Sequence, residues 1–181
     1  MAFWAASANA ASAVTTFGAS SAEECYRAAM LGEQTFAIHS CTDAIGSGNL
    51  TRRDLAATYS NRGLLYQRTG RLEKALADHN KSISIDPENK NAYVNRGNCL
   101  YMSKRYGEAL DDYTRAIELT DDQFALAYYN RAFVNMALGN AEAARADLER
   151  ANELNPNSQK YRNTTIADQP DKPTEPPAKQ Q

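Results

Sequence analysis

Apolar and polar positions between residues 56 and 158 fall into a pattern written three times. The stretch Tyr59-Ser60-Asn61-Arg62-Gly63 returns as Tyr93-Val94-Asn95-Arg96-Gly97 and again as Tyr128-Tyr129-Asn130-Arg131-Ala132, 34 and then 35 residues further on. In the same register stand Ala75, Ala109 and Ala144, and bulky groups at His79, Tyr113 and Leu148. A period in this range marks stacked supersecondary units, none of which buries its own apolar face alone. Every segment of the pattern reads as helix and short turn, so the chain is all-α. The first helix after residue 51 runs through Arg68, Gly70 turns the chain, and a second helix reaches Ile85. Two further hairpins occupy Asn89 to Leu119 and Asp121 to Leu154.

Capping chemistry places the other boundaries. Ser21 and Glu24 have capping-box spacing, which predicts a helix from there to about Leu31, a turn at Gly32, and a second helix from Glu33 to Ile45 that stops at Gly46-Ser47-Gly48. Thr51 and Asp54 repeat that spacing. Asp86-Pro87 reads as N-cap and first turn of the following helix, where a proline needs no N–H. The array also carries its own end. Ile38 and Ile45, Leu76 and Ile83, and Leu110 and Ile117 should each face the next unit, whereas Arg145 and Asn152 hold those places in the last hairpin. A terminal unit needs a polar outer face, so no fourth repeat is expected. Beyond Asn155-Pro156 a turn or two of helix including Tyr161 is expected, and the stretch from Asn163 to Gln181, with Pro170, Pro173, Pro176 and Pro177, lacks the apolar content to order itself.

Together these residues resemble the tetratricopeptide repeat, a helix-turn-helix unit that stacks into an α-solenoid. On that resemblance the chain divides into a leader (1–21), a degenerate first hairpin (22–51), three repeats (52–89, 90–124 and 125–158) and a Pro-rich tail (159–181). The resemblance implies a concave groove lined by the first helix of each repeat, where partner peptides lie. Its wall here would comprise Asn61, Leu64 and Arg68, then Asn91, Asn95, Asn98, Tyr101 and Met102, then Tyr129, Asn130, Phe133 and Met136. A ladder of carboxamides at Asn61, Asn95 and Asn130 can donate to and accept from a peptide backbone, or it can tie down the adjacent helix. Relatives that grip a terminal carboxylate use Lys and Arg on this face. Arg68 stands there as the one cation, at the edge, so no such clamp is expected. The groove turns apolar and aromatic toward its end, as binding surfaces do, unless the chain's own ends or a second copy cover it.

The cysteines bear on compartment. In the repeat register Cys25 and Cys41 face each other across the opening hairpin, either as a disulfide or as two small apolar side chains in a seam. A disulfide would close a loop of about 16 residues and contribute about 3 kcal/mol. Arrays of this size with two cysteines in the opening hairpin are similar to exported bacterial repeat proteins. The Ala- and Ser-rich segment 1–22 has no charged side chain and ends in small residues like a secretory signal, although a basic n-region is missing. A periplasmic or secreted protein is therefore expected, with a cytoplasmic one as the alternative. Cys99 reads as a buried free thiol.

The remaining chemistry excludes more than it offers. With a net charge of −2 and no basic stripe, nucleic acid is an unsuitable partner, and no run approaches the roughly 20 apolar residues that span a membrane. Each repeat pairs an Arg with an Asp sixteen residues later, Arg62 with Asp78, Arg96 with Asp112 and Arg131 with Asp147, which reads as an inter-helix salt bridge rather than an anion site. His79 takes an interior place, and His39 stands exposed with no carboxylate or Cys at metal-ligand spacing. No catalytic triad, phosphate loop, metal motif or cofactor site is present. The expected function is non-enzymatic protein–protein interaction, with a peptide or helix of the partner bound in the concave groove. Alternatives are a self-assembling module whose groove is filled by another copy, and an accessory subunit of a separately encoded enzyme.

Overall fold

A computed structural model describes residues 21–27, 29 and 35–163. The leader, the turn at Gly32 and the tail beyond residue 163 lie outside the described residues. Nine helices run through the described part: α1 (21–27), α2 (Thr35–Gly46), α3 (Arg52–Arg68), α4 (Leu72–Ile85), α5 (Lys90–Met102), α6 (Tyr106–Glu118), α7 (Ala125–Ala137), α8 (Ala141–Leu154) and α9 (Gln159–Asn163). This is an all-α, tetratricopeptide-like solenoid. The chain forms two compact units, residues 1–99 and 100–181, so α5 begins in the first and ends in the second.

Local chemistry explains several helix ends. Thr51 is extended and its hydroxyl accepts from the Asp54 N–H at 3.2 Å, which satisfies one of the open donors of α3. At the other end the Arg71 N–H reaches back to the Tyr66 carbonyl at 2.9 Å, and Gly70 takes a positive φ of 74° that closes the turn. The same closure recurs one period later, where the Arg105 N–H bonds the Leu100 carbonyl at 2.8 Å, and again where the Asn140 N–H bonds Asn135 at 2.8 Å. Gly139 supplies the left-handed residue in the last turn, but Lys104 does so in the middle one, at φ 59°. A side chain in that region costs roughly 1–2 kcal/mol, which glycine avoids.

Two starts differ from the sequence reading. Asp86 closes α4 instead of opening α5: its backbone is extended, as the residue before a proline prefers, and its carboxylate accepts from the Glu88 N–H at 3.2 Å. Asn89 caps α5 through the Ala92 N–H at 3.3 Å. Asp121 does not open α7 either. Asp121 and Asp122 both hold positive φ, at 46° and 64°, and the helix starts at Ala125.

In the first unit, the core joins Cys25, Ala29, Ala37, Cys41 and Leu65, with Ile38 and Leu64 packed against them. Ala75 and His79 are fully enclosed on α4. His79 sits against Gly63, the close approach that explains a glycine in mid-helix: a β-carbon there would meet the imidazole at 2.6 Å. In the second unit Ala109, Tyr113, Ala116 and Ile117 are buried on α6, and Ala144, Leu148 and Ala151 on α8. The interior positions read from the repeat register are therefore interior. Arg145 is exposed on α8, while Asn152 is half-buried and its side-chain oxygen has no partner. The short α9 follows, carrying Tyr161.

Candidate functional site

The recurring Tyr-x-Asn-Arg stretch builds a scaffold before it builds a surface. Arg62 clasps Asp78 with both nitrogens, Nε to Oδ2 at 2.7 Å and Nη2 to Oδ1 at 2.8 Å, and Arg131 clasps Asp147 at 3.0 and 2.7 Å. These side chains are only 15% and 9% exposed in the first pair and 22% and 7% in the second, so water screens them little. The hydrogen bond to its aspartate raises the pKa of each of these arginines further, against the cost of burial. Each arginine also reaches the preceding helix: Arg62 to Thr42, Arg96 to Asn80 and Arg131 to Thr114, at 3.1, 2.7 and 3.1 Å. The tyrosine three residues earlier stacks on each guanidinium, with centroid distances of 5.5, 5.6 and 5.2 Å for Tyr59, Tyr93 and Tyr128. Sequence reasoning missed this stack, although its i, i+3 spacing was legible.

With the arginines held, the asparagine beside each one faces the first-helix side of its repeat. The three carboxamides are half-buried, but their surroundings differ. Asn95 Nδ2 donates to Ser60 Oγ at 3.2 Å, linking α5 to α3. Asn61 has no side-chain partner among the described residues and lines a cleft of about 460 Å³ between α1 and α3. Leu64 packs at the edge of the first-unit core. Arg68 is exposed, yet its guanidinium donates to the Ala29 carbonyl at 2.7 Å. Asn91 is exposed and Asn98 half-buried.

In the second unit, Met102 is 51% exposed at the end of α5. Tyr101 packs on Tyr106 at 5.6 Å, and burial raises its phenol pKa. Tyr129 meets Phe133 edge-on at 4.9 Å, while Met136 and Asn130 are half-buried on the same helix. The chain's own α9 covers part of this surface: Tyr161 lies 5.1 Å from Tyr129, and Lys160 Nζ stands 4.3 Å above the Tyr129 ring.

The structure joins Cys25 to Cys41 by a disulfide that ties α1 to α2. Cys99 is a buried free thiol whose pKa burial pushes up to about 12, the opposite of an activated nucleophile. His79 is packed with both ring nitrogens unpartnered, and burial lowers its pKa to about 3. His39 differs from expectation. It is exposed, but Asp43 one turn later brings a carboxylate oxygen to 3.6 Å of Nε2. Among the described residues no three His, Cys, Asp or Glu side chains gather as a metal site, and no helix is long and apolar enough to cross a membrane.

An array of helical hairpins presenting polar and aromatic first-helix faces, with Arg62 and Arg131 neutralised in place, defines a binding module of the repeat class. Models of the tetratricopeptide repeat match residues 54–122 and 125–158, together more than half of the chain, and the chain belongs to that family. Members of this family act as protein–protein interaction modules. Serine/threonine-protein phosphatase 5 of Rattus norvegicus is 37% identical over 110 residues, 61% of this chain and 21% of that protein. DnaJ homolog subfamily C member 7 of Homo sapiens is 33% identical over 99 residues, 55% of this chain and 20% of that protein. The chain thus spans about a fifth of the length of these curated relatives. Among solved structures, the first tetratricopeptide domain of Spaghetti (RPAP3) bound to the HSP90 peptide SRMEEVD is 29% identical, covers 60% of this chain and 85% of that one, and superposes with a TM-score of 0.57. A tetratricopeptide repeat protein from Parabacteroides merdae, 22% identical, covers 81% of this chain and 57% of its own with a TM-score of 0.67, a likeness of fold.

Proposed function

We propose that this chain is a non-catalytic adaptor that holds an extended peptide segment of a partner protein along the first-helix faces of its repeats. The observation that carries the reading is the likeness to the Spaghetti domain, whose solved form holds a seven-residue peptide and which this chain matches over 85% of that domain's length. The availability of Asn61, the exposure of Met102 and the half-buried Asn130 and Met136 supply the donors and apolar contacts that an extended peptide needs. The manner of holding differs from a terminal clamp. Arg62 and Arg131 are engaged by Asp78 and Asp147 and Arg68 spends one nitrogen on the Ala29 carbonyl, so neither clasped arginine is left to grip a carboxylate. The partner segment is then internal to its chain, and its terminus is not read.

Selection of peptides from a random display library against the full chain tests this. Binding peptides should keep their affinity within about threefold, under 1 kcal/mol, when the C-terminus is amidated. A loss of about tenfold or more on amidation, or a failure to select any peptide, would overturn the proposal.

A second reading concerns compartment and rests on the Cys25–Cys41 bond. Such bonds persist in oxidising surroundings, so we propose that the chain works outside the reducing cytoplasm, as exported bacterial tetratricopeptide proteins do. Intact mass of the protein from its native source, with and without reduction and alkylation, decides it. A two-proton deficit supports export, and three free thiols contradict it.

A further inference from the structure

The cleft between α1 and α3 is lined by acidic, aromatic and amide side chains. Its volume is about 460 Å³, and Glu23, Tyr26, Asn49, Asp54, Ala57 and Asn61 are among its lining residues. Two of these are carboxylates and none of the lining residues is a cation. Asp54 has no cationic partner among the described residues, accepting only the Thr51 hydroxyl at 2.6 Å. Glu23 engages Arg27 through one oxygen at 2.8 Å on the open side of α1, where both side chains are mostly solvated and the pair is weak. Tyr26 presents an aromatic ring that is 57% exposed. The side-chain amides of Asn49 and Asn61 have no partner among the described residues.

Anionic oxygens, a bare aromatic face and unpartnered amide oxygens around one small cleft are complementary to a guanidinium or ammonium group. The cleft of about 650 Å³ near the α4–α5 turn offers no such contrast, because Arg52 and Arg53 line it together with Asp86 and Glu88 and its charges cancel. The α1 wall of the smaller cleft is fixed by the Cys25–Cys41 bond, and Arg68 holds the Ala29 carbonyl beyond it. A pocket with a covalently held wall requires little reordering on binding, which favours affinity.

We infer that the cleft between α1 and α3 receives an arginine or lysine side chain of the bound peptide, held by Asp54 and Glu23 with Tyr26 against its cationic head and Asn61 on the adjoining backbone. The inference rests on the peptide-binding reading above and adds to it the charge of one anchor and its place.

The test is a titration of the isotope-labelled full chain, under non-reducing conditions, with N-acetyl-arginine methylamide and with its neutral citrulline counterpart, followed by amide chemical shifts. Saturable shifts confined to residues 22–27 and 49–61 are expected with the arginine compound, with a dissociation constant on the order of 1 mM, the scale suited to a single side chain. The citrulline compound should bind at least about tenfold more weakly, a factor that one charge-assisted contact supplies. Tyr26→Ala leaves an exposed position and should keep the fold while weakening arginine binding severalfold. Asp54→Asn should weaken it further, and Glu23→Gln serves where weakening the Thr51–Asp54 bond destabilises α3. Equal shifts from both compounds, shifts scattered over the surface, or no saturable shift would overturn the inference. Because the probe has no peptide length, such a failure leaves the broader reading to the library selection, and the two outcomes are separable.

Discussion

Gly63 and His79 share one space in the seam between α3 and α4: a β-carbon at Gly63 would lie 2.6 Å from His79 Cε1 and 2.9 Å from both ring nitrogens. The contact matters because His79 is fully buried and has nowhere to retreat. Overpacking of this kind costs about 1–3 kcal/mol, against a gain of up to about 1 kcal/mol when alanine replaces glycine in a helix. Gly63→Ala should therefore destabilise the chain by about 1–2 kcal/mol in urea unfolding. A cycle with His79→Ala should show coupling of about 1 kcal/mol or more, since the second change removes the clash.

The same histidine makes stability depend on pH. Its ring nitrogens have no acceptor, the Arg96 charge also disfavours protonation, and the pKa lies near 3 instead of 6.5. Protonation is favoured in the unfolded chain, so the His79 contribution is complete above pH 6.5 and is lost as pH falls toward about 3, at up to about 1.4 kcal/mol per pH unit. Between pH 6.5 and 5, where few carboxylates titrate, unfolding free energy should fall steeply in the parent and much less in His79→Leu. Equal slopes would show that another group carries the dependence.

Of the two ion pairs clasped within a unit, Arg131–Asp147 is the more connected, since Asn135 Nδ2 also donates to Asp147 Oδ2 at 3.0 Å. Arg131→Met leaves that carboxylate buried beside one neutral donor, and the expected cost is about 3 kcal/mol. Arg105→Met removes an equally short ion pair to Glu108 on the open surface and should leave the melting temperature unchanged. Calorimetric melts of the two variants compare them directly.

The carboxamide ladder separates by position. Asn95→Ala removes the bond to the buried Ser60 hydroxyl and should reduce stability by about 1 kcal/mol. Asn61→Ala touches no such bond, so its stability should stay within about 0.5 kcal/mol while binding of a selected peptide weakens by about 1 kcal/mol. Paired unfolding and binding measurements on the two variants check the division.

Much of this was legible in the sequence. The 34- and 35-residue period, the enclosed Ala75, Ala109 and Ala144, the buried His79 and Tyr113, and the Arg62–Asp78 and Arg131–Asp147 pairs follow from side-chain type at helical spacing, because burial of such groups admits few alternatives. The half-buried polar positions were not legible. Whether Asn95 meets a ligand or Ser60 depends on how closely α3 and α5 approach, which no single helix records. Turn chemistry misled where two rules competed: Asp86 before Pro87 satisfies both an N-cap pattern and an extended pre-proline residue, and backbone geometry selects the second. Lys104 occupies the left-handed place that Gly70 and Gly139 hold in the other turns, and nothing in its side chain signals that.

Hydrogen–deuterium exchange of the full chain, alone and saturated with a library-selected peptide, tests the central claim most directly. Peptide should slow exchange in α3, α5 and α7, with the first turns of α3 beside the α1 cleft included, and leave α4, α6 and α8 unchanged. Protection concentrated on α4, α6 and α8 would place the partner on the opposite helices and contradict it.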